Sequence, residues 1–140
     1  RQAGILAAAG MVALQDGPEG MIDRLADAHA NARRLAEALA DMDGIGSPGG
    51  IAQPDGERLD PRRVTTNFVL FKVDRDRASF LAALRARNVL MVEYFHGQVR
   101  AATHHDVSAD DIDTTIRATR DALADTRAIR GSAATAVTTA

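Results

Sequence analysis

The sequence predicts an α+β fold: a small, largely antiparallel sheet with helices packed on one face, preceded by long connecting helices. Three observations predict it. A chain of 140 residues with 46% hydrophobic content is long enough for one real core and too short for two comfortable ones. Some stretches space their apolar residues by three and four, as a helix does, while others run them continuously or in alternation, as a strand does. In order these stretches read helix, long helix, strand, helix, strand, strand, helix, which is the pattern of a sheet with helices segregated to one side.

The elements follow from the N-terminus. Residues 2–14, QAGILAAAGMVAL, form a small-residue helix with few charges, so other protein should cover it on several sides. Gly4 and Gly10 weaken it in isolation. The breaker Asp16-Gly17-Pro18-Glu19-Gly20 ends it. Residues 21–42 then place Met21, Leu25, Ala28, Ala32, Leu35, Leu39 and Met42 on one stripe, with Arg24, Asp27, Arg33, Arg34, Glu37 and Asp41 off it. A dimerising coiled coil fits these intervals, but alanine at two stripe positions favours packing onto the chain's own domain. Residues 1–43 are therefore assigned to connecting helices.

Residues 44–63 hold most of the prolines and many glycines and read as an exposed loop, an insertion in the domain. Residues 64–74, VTTNFVLFKVD, are the best strand in the chain, and the unbroken Phe68-Val69-Leu70-Phe71 run implies burial on both faces. A short helix over 77–87 should bury Phe80, Leu81 and Leu84. Strands at 89–93 and 98–103 follow, joined by a turn at Tyr94-Phe95-His96-Gly97. The last helix, from 109 to about 127, should bury Ile112, Ile116, Thr119 and Leu123. Residues 64–130 thus make the small domain, and the polar, small-residue stretch 131–140 is expected to be a disordered tail.

Composition narrows the function. A net charge of −2 and a pI near 6.1 give no broad electrostatic attraction to nucleic acid or to an anionic membrane. No apolar run approaches the ~20 residues of a membrane helix, and the first four residues are not the start of a signal peptide. The absence of cysteine excludes disulfides and thiolate metal sites and fits a reducing compartment, so a cytoplasmic location is expected. Sixteen arginines accompany one lysine, Lys72, which reads as a strand-end residue rather than an amine tuned for covalent work. The chain opens on Arg1 without a methionine and reads as part of something longer.

The segment from Gln98 to Asp113 carries the most chemistry. In a strand there, Val99, Ala101 and Thr103 share one face and Arg100, Ala102 and His104 the other, so Arg100 stands opposite the core. Ser108 with Asp111 three residues on is a capping-box helix start. An arginine beside small residues suits a carboxylate or phosphate, although spacing alone favours an ordinary surface salt bridge. Gly44-Ile45-Gly46-Ser47-Pro48-Gly49 spells the dinucleotide fingerprint, but it follows a helix and leads into more loop, which excludes the strand-turn-helix setting that binds a pyrophosphate. His104-His105-Asp106 offers metal-ligating atoms, yet adjacent strand residues point to opposite faces. His29 and His96 lack a visible catalytic partner, Ser47 and Ser79 lack the strand-turn-helix elbow of a serine nucleophile, and Ser108 is explained as a cap.

Three pieces, in order, resemble the C-terminal part of pyridoxal-phosphate-dependent L-threonine aldolases, in the β-eliminating lyase group of fold-type I enzymes. They are Arg1-Gln2-Ala3-Gly4-Ile5-Leu6-Ala7-Ala8-Ala9-Gly10, then Thr66-Asn67-Phe68-Val69, then Val99-Arg100 through Thr103-His104 to Asp106-Val107-Ser108 with Asp111-Ile112-Asp113. The likeness extends from residue 1 to about 127. The resemblance implies a small C-terminal α+β domain that closes over a large domain holding the cofactor, in an enzyme that is a homo-oligomer. It implies that Arg1 helps hold the cofactor phosphate, across a subunit boundary, and that Arg100 binds the substrate's α-carboxylate. The lysine that carries pyridoxal phosphate, upstream of the first piece in this family, is not in the chain, so these residues by themselves are expected to be inactive. The implied reaction is retro-aldol cleavage of a β-hydroxy-α-amino acid, threonine or allo-threonine, to glycine and acetaldehyde. The 46–63 loop is longer than the family pattern, and Ala102 and His105 replace other residues near the motif. Another fold-type I lyase or aminotransferase would share this small domain, and a non-catalytic α+β interaction module would leave Arg100 as a salt bridge.

Overall fold

A computed structural model describes residues 3–14, 21–49 and 57–136, with side chains as far as Thr126. The elements are α1 (Ala3–Ala13), α2 (Met21–Ala40), β1 (Ile45–Gly46), β2 (Phe68–Val73), α3 (Arg77–Arg85), β3 (Val92–Tyr94), β4 (Gln98–Ala102) and α4 (Ala109–Ala136). The four strands form one antiparallel sheet in the order β1-β2-β4-β3. Because β2 and β3 both run antiparallel to β4, they are parallel to each other, and the β2-α3-β3 crossover encloses β4 as a split βαβ unit. The fold is α+β, as its sequence predicts.

One face of the sheet makes the core. Val69 and Phe71 of β2 and Val99 and Ala101 of β4 pack under Leu35 and Leu39 of α2, Phe80 and Leu84 of α3, and Ile112, Ile116 and Leu123 of α4, all of them buried. The rings of Phe71 and Phe80 meet edge to face, 6.5 Å between centroids. Helix α2 buries the expected Ala28, Ala32, Leu35 and Leu39, together with Ala36, so it is a wall of the domain core, while Met21 and Leu25 at its start are exposed. Helix α3 buries Phe80 and Leu84 and leaves Leu81 half-buried; α4 buries all four predicted residues. Arg34 ties α2 to Asp113 of α4 at 2.6 Å, and Arg87 ties the end of α3 to Asp125 at 2.6 Å.

Several expectations change. The Phe68–Phe71 run is buried on one face only: Val69 and Phe71 point into the core, Phe68 is exposed and Leu70 half-buried, because the helices cover one side of the sheet and leave Phe68 open on the other among the described residues. The 44–63 stretch is not simply an exposed loop. Ile45 and Gly46 add an edge strand to β2, the Ser47 amide donates to the Glu57 carbonyl at 2.8 Å, and Ser47, Leu59 and Val64 are buried. Asp60 accepts from the Arg62 amide and caps a short 3₁₀ turn at Pro61–Arg63. The third strand begins later than expected, with the preceding Val89 and Met91 buried instead. Helix α4 continues to Ala136, into the stretch expected to be a disordered tail; residues 137–140 lie outside the described residues. No residue of α1 is buried, and Ile5, Leu6, Met11 and Val12 are exposed, so any further cover for this apolar helix comes from outside the described chain.

Candidate functional site

The uncovered sheet face is where the chemistry lies. Strand alternation places Val99 and Ala101 in the core and therefore turns Arg100 outward, as the sequence dictates. Directly opposite Arg100 stand Leu70 on β2 and Val92 on β3, neither of which carries an acceptor. Two residues along each strand, on the same face, Phe68 faces Ala102 and Tyr94 faces Gln98. From those diagonal positions both aromatic side chains reach the guanidinium: its central carbon lies 5.3 Å from the Phe68 ring centroid and 5.2 Å from that of Tyr94. Both distances are inside the ~6 Å range of a cation–π contact.

Arg100 is half-buried and has no carboxylate partner among the described residues, nor any hydrogen bond that would occupy its fork. The surface salt bridge that spacing allowed is therefore not formed among the described residues. A planar cation sits between two rings on an apolar face, with Phe68 47% and Tyr94 38% exposed and Val92 beside them. Leu90 and Phe95, flanking β3, extend the exposed apolar surface. Such a site can take a carboxylate edge-on through two parallel hydrogen bonds, and the surrounding apolar groups would strengthen them by excluding water.

The other residues that the resemblance singles out have structural tasks. The Thr103 amide donates to the Asn67 carbonyl at 3.0 Å, and the Asn67 side-chain amide returns a bond to the Thr103 carbonyl at 2.8 Å. The buried Thr103 hydroxyl donates to the Ala28 carbonyl at 2.7 Å, tying β4 to α2. Asn31 of α2 donates to the Val107 carbonyl at 2.8 Å and holds the turn after β4. Ser108 and Asp111 form the expected capping box: the Ser108 hydroxyl and amide both donate to the Asp111 carboxylate, at 2.6 and 2.9 Å, and the Asp111 amide donates back to the hydroxyl at 3.2 Å. Those bonds, the hydroxyl's first, hold the Asp111 carboxyl below its ordinary range.

His105 pairs with Asp106 at 2.7 Å, and His104 turns its Nδ1 to the same residue at 3.7 Å, all three exposed. Among the described residues no group of three or more His, Cys, Asp or Glu could hold a metal ion together. Arg1, expected at the cofactor phosphate, lies outside the described residues. Lys72 stands on β2 in register with Gly46 and is engaged by a neighbour. Sequence reasoning missed Phe68 and Tyr94 as site residues. Parity along the strand marks Phe68 as outward-facing, while Tyr94, expected in the turn, instead ends β3; only the register brings both to Arg100.

No family model matches the chain. It is 34% identical over 113 residues to the low specificity L-threonine aldolase of Escherichia coli O157:H7, covering 80% of this chain and 28% of that protein. It is 28% identical over 129 residues to the low-specificity L-threonine aldolase 1 of Arabidopsis thaliana, covering 88% of this chain and 31% of that protein. The chain thus spans just under a third of the length of the curated relatives it matches.

Proposed function

We infer that this chain is the C-terminal part of a pyridoxal-phosphate-dependent lyase that cleaves L-threonine or allo-threonine to glycine and acetaldehyde. The observation that carries the reading is Arg100: an arginine without a carboxylate partner among the described residues, set between two rings on the uncovered face of a sheet whose other face is core. The similarity to two threonine aldolases over most of this chain's length supports the reaction class.

In this reading Arg100 binds the α-carboxylate through its fork and fixes the amino acid relative to the rest of the site. It orients, and moves no proton. Leu70 and Val92 opposite it offer no competing acceptor, and the rings of Phe68 and Tyr94 keep water from the guanidinium faces. Pyridoxal phosphate supplies, when bound, an electron sink for the bond that breaks at the substrate's Cα. The described residues fit the carboxylate half of this chemistry. The phosphate contact is assigned to Arg1, and the covalent attachment to a lysine of the large domain, since Lys72 is on a strand and already engaged. The exposed apolar side chains of α1 and the open face around Arg100 support packing against that large domain and against a second subunit of a homo-oligomer.

The test is made on the intact protein. It should carry the visible absorbance of bound pyridoxal phosphate and release glycine and acetaldehyde from L-threonine. Keto acid or ammonia as the product would instead indicate another fold-type I lyase or an aminotransferase. Absence of both the cofactor and any amino-acid turnover would leave a non-catalytic interaction module and overturn the proposal.

A further inference from the structure

We propose that Phe68 and Tyr94 are positioning residues, which hold the Arg100 guanidinium so that its fork faces an incoming α-amino carboxylate; this rests on the carboxylate reading of Arg100 above. An arginine side chain is among the richest in rotamers, and binding a carboxylate edge-on requires one of them. A ring from each flanking strand narrows that choice before the ligand arrives. Preorganisation of this kind improves affinity by lowering the ordering cost of binding rather than by adding a contact to the ligand.

The geometry has four parts that agree. The rings come from opposite sides of β4, one from β2 and one from β3, and lie at nearly equal distances, 5.3 and 5.2 Å, from the guanidinium carbon. Phenylalanine has no acceptor, and neither do Leu70 and Val92, so the nearest side chains hold the cation without occupying its donors. Tyr94 is itself braced: its ring meets that of Phe95 edge to face, 5.1 Å between centroids and 65° between planes. The turn behind it is fixed by His96 at φ 56 and Gly97 at φ 78, left-handed conformations that set the end of β3. Large rings left this exposed are otherwise unexplained by the core, which lies on the other face.

The experiment compares glycine with glycinamide, which lacks the carboxylate, as ligands of the intact protein by calorimetry. The variants are Phe68→Leu, Tyr94→Leu, Tyr94→Phe and Arg100→Ala, each checked for an unchanged melting temperature. Because both rings are more than a third exposed, leucine replaces them without opening the core. Each leucine variant should weaken glycine binding by about twofold to tenfold, the ordering cost of one immobilised side chain, and leave glycinamide unchanged. Tyr94→Phe keeps the ring and should bind glycine as the wild type does, which a hydroxyl-mediated role would not give. Leucine variants that fold and bind glycine normally, or that weaken both ligands equally, overturn the positioning role. If Arg100→Ala weakens glycine while the leucine variants do not, only the clamp fails. If Arg100→Ala also leaves glycine untouched, the carboxylate reading fails with it.

Discussion

Replacing Arg100 by alanine separates a ligand-binding arginine from a structural one, and the structure sets how large the effect should be. Losing one partner of a hydrogen-bonded charge pair costs about 2 to 5 kcal/mol when the pair is buried. Arg100 is half-buried in the described chain, so solvent screening places the loss at the lower end, about 2–3 kcal/mol or about 30- to 150-fold in kcat/KM. The fold itself should hardly notice. Arg100 lies opposite the core, and its contacts within the described chain are two ring faces, together worth about 1 kcal/mol at an exposed site. Arg100→Lys keeps the charge without the fork and should fall between the wild type and alanine. The assay is turnover of L-threonine by the intact protein, paired with thermal melting of the same preparations. Unchanged kinetics in Arg100→Ala would refute the carboxylate role. A loss of activity that merely tracks a loss of folded protein would refute it equally, by making Arg100 structural.

Three further outcomes follow from the packing. Phe80→Ala removes a fully buried ring that meets Phe71 edge to face, and should lower stability by about 3–5 kcal/mol in urea melts; a loss under about 1 kcal/mol would mean the core is not centred there. Gly44 has φ +94, and a Cβ added there would lie 2.6 Å from the Asp74 carboxylate oxygen, so Gly44→Ala should cost about 1–3 kcal/mol, and an unchanged melting temperature would contradict the turn geometry. Ser108→Ala removes the hydroxyl bond, the larger of the two that depress the Asp111 carboxyl, and keeps the one from the backbone amide. A carboxyl with a lowered folded pKa contributes stability above its ordinary value of 3.8 and loses it as the pH falls through the lowered one. The gap in melting temperature between wild type and Ser108→Ala should therefore be full near neutrality and shrink below about pH 4; a gap independent of pH would exclude the Asp111 contribution.

The parts of the fold that were legible in the sequence are those written in local patterns. The stripe of α2 and that of α4, the outward turn of Arg100 and the Ser108–Asp111 capping box all depend on residues a few positions apart, where helix and strand periods act directly. The errors share another cause. An unbroken run such as Phe68–Phe71 shows that both faces are apolar but not that both are covered by this chain; Phe68 and Leu70 face outward beside Arg100. Glycine and proline hid the packing within 44–63, because what fixes it is distant: the Gln98 side-chain amide donates to the Pro48 carbonyl at 2.8 Å, and Leu59 reaches the core. Phe68 was legible as a strand residue, whereas Tyr94, expected in the turn, instead ends β3; neither was legible as a neighbour of Arg100, since the pairing register that joins them leaves no mark along the chain.

That register also explains why residues far from any ligand contact belong with the site. Side chains alternate along β4 with a period of two, so a slip of one residue would bury Arg100 under the helices and push Val99 and Ala101 outward. The strand is held against such a slip at both ends. At one end Thr103 and Asn67 exchange two hydrogen bonds while the Thr103 hydroxyl reaches the Ala28 carbonyl of α2; at the other, Gln98 is fastened to Pro48. The cost of a slip is thus several buried hydrogen bonds as well as a guanidinium placed in the core, each unmade buried bond alone worth about 1–3 kcal/mol. Asn67 and Thr103 need touch no substrate to matter for chemistry. They fix which face of the strand Arg100 occupies, and the same register delivers the two rings that flank it.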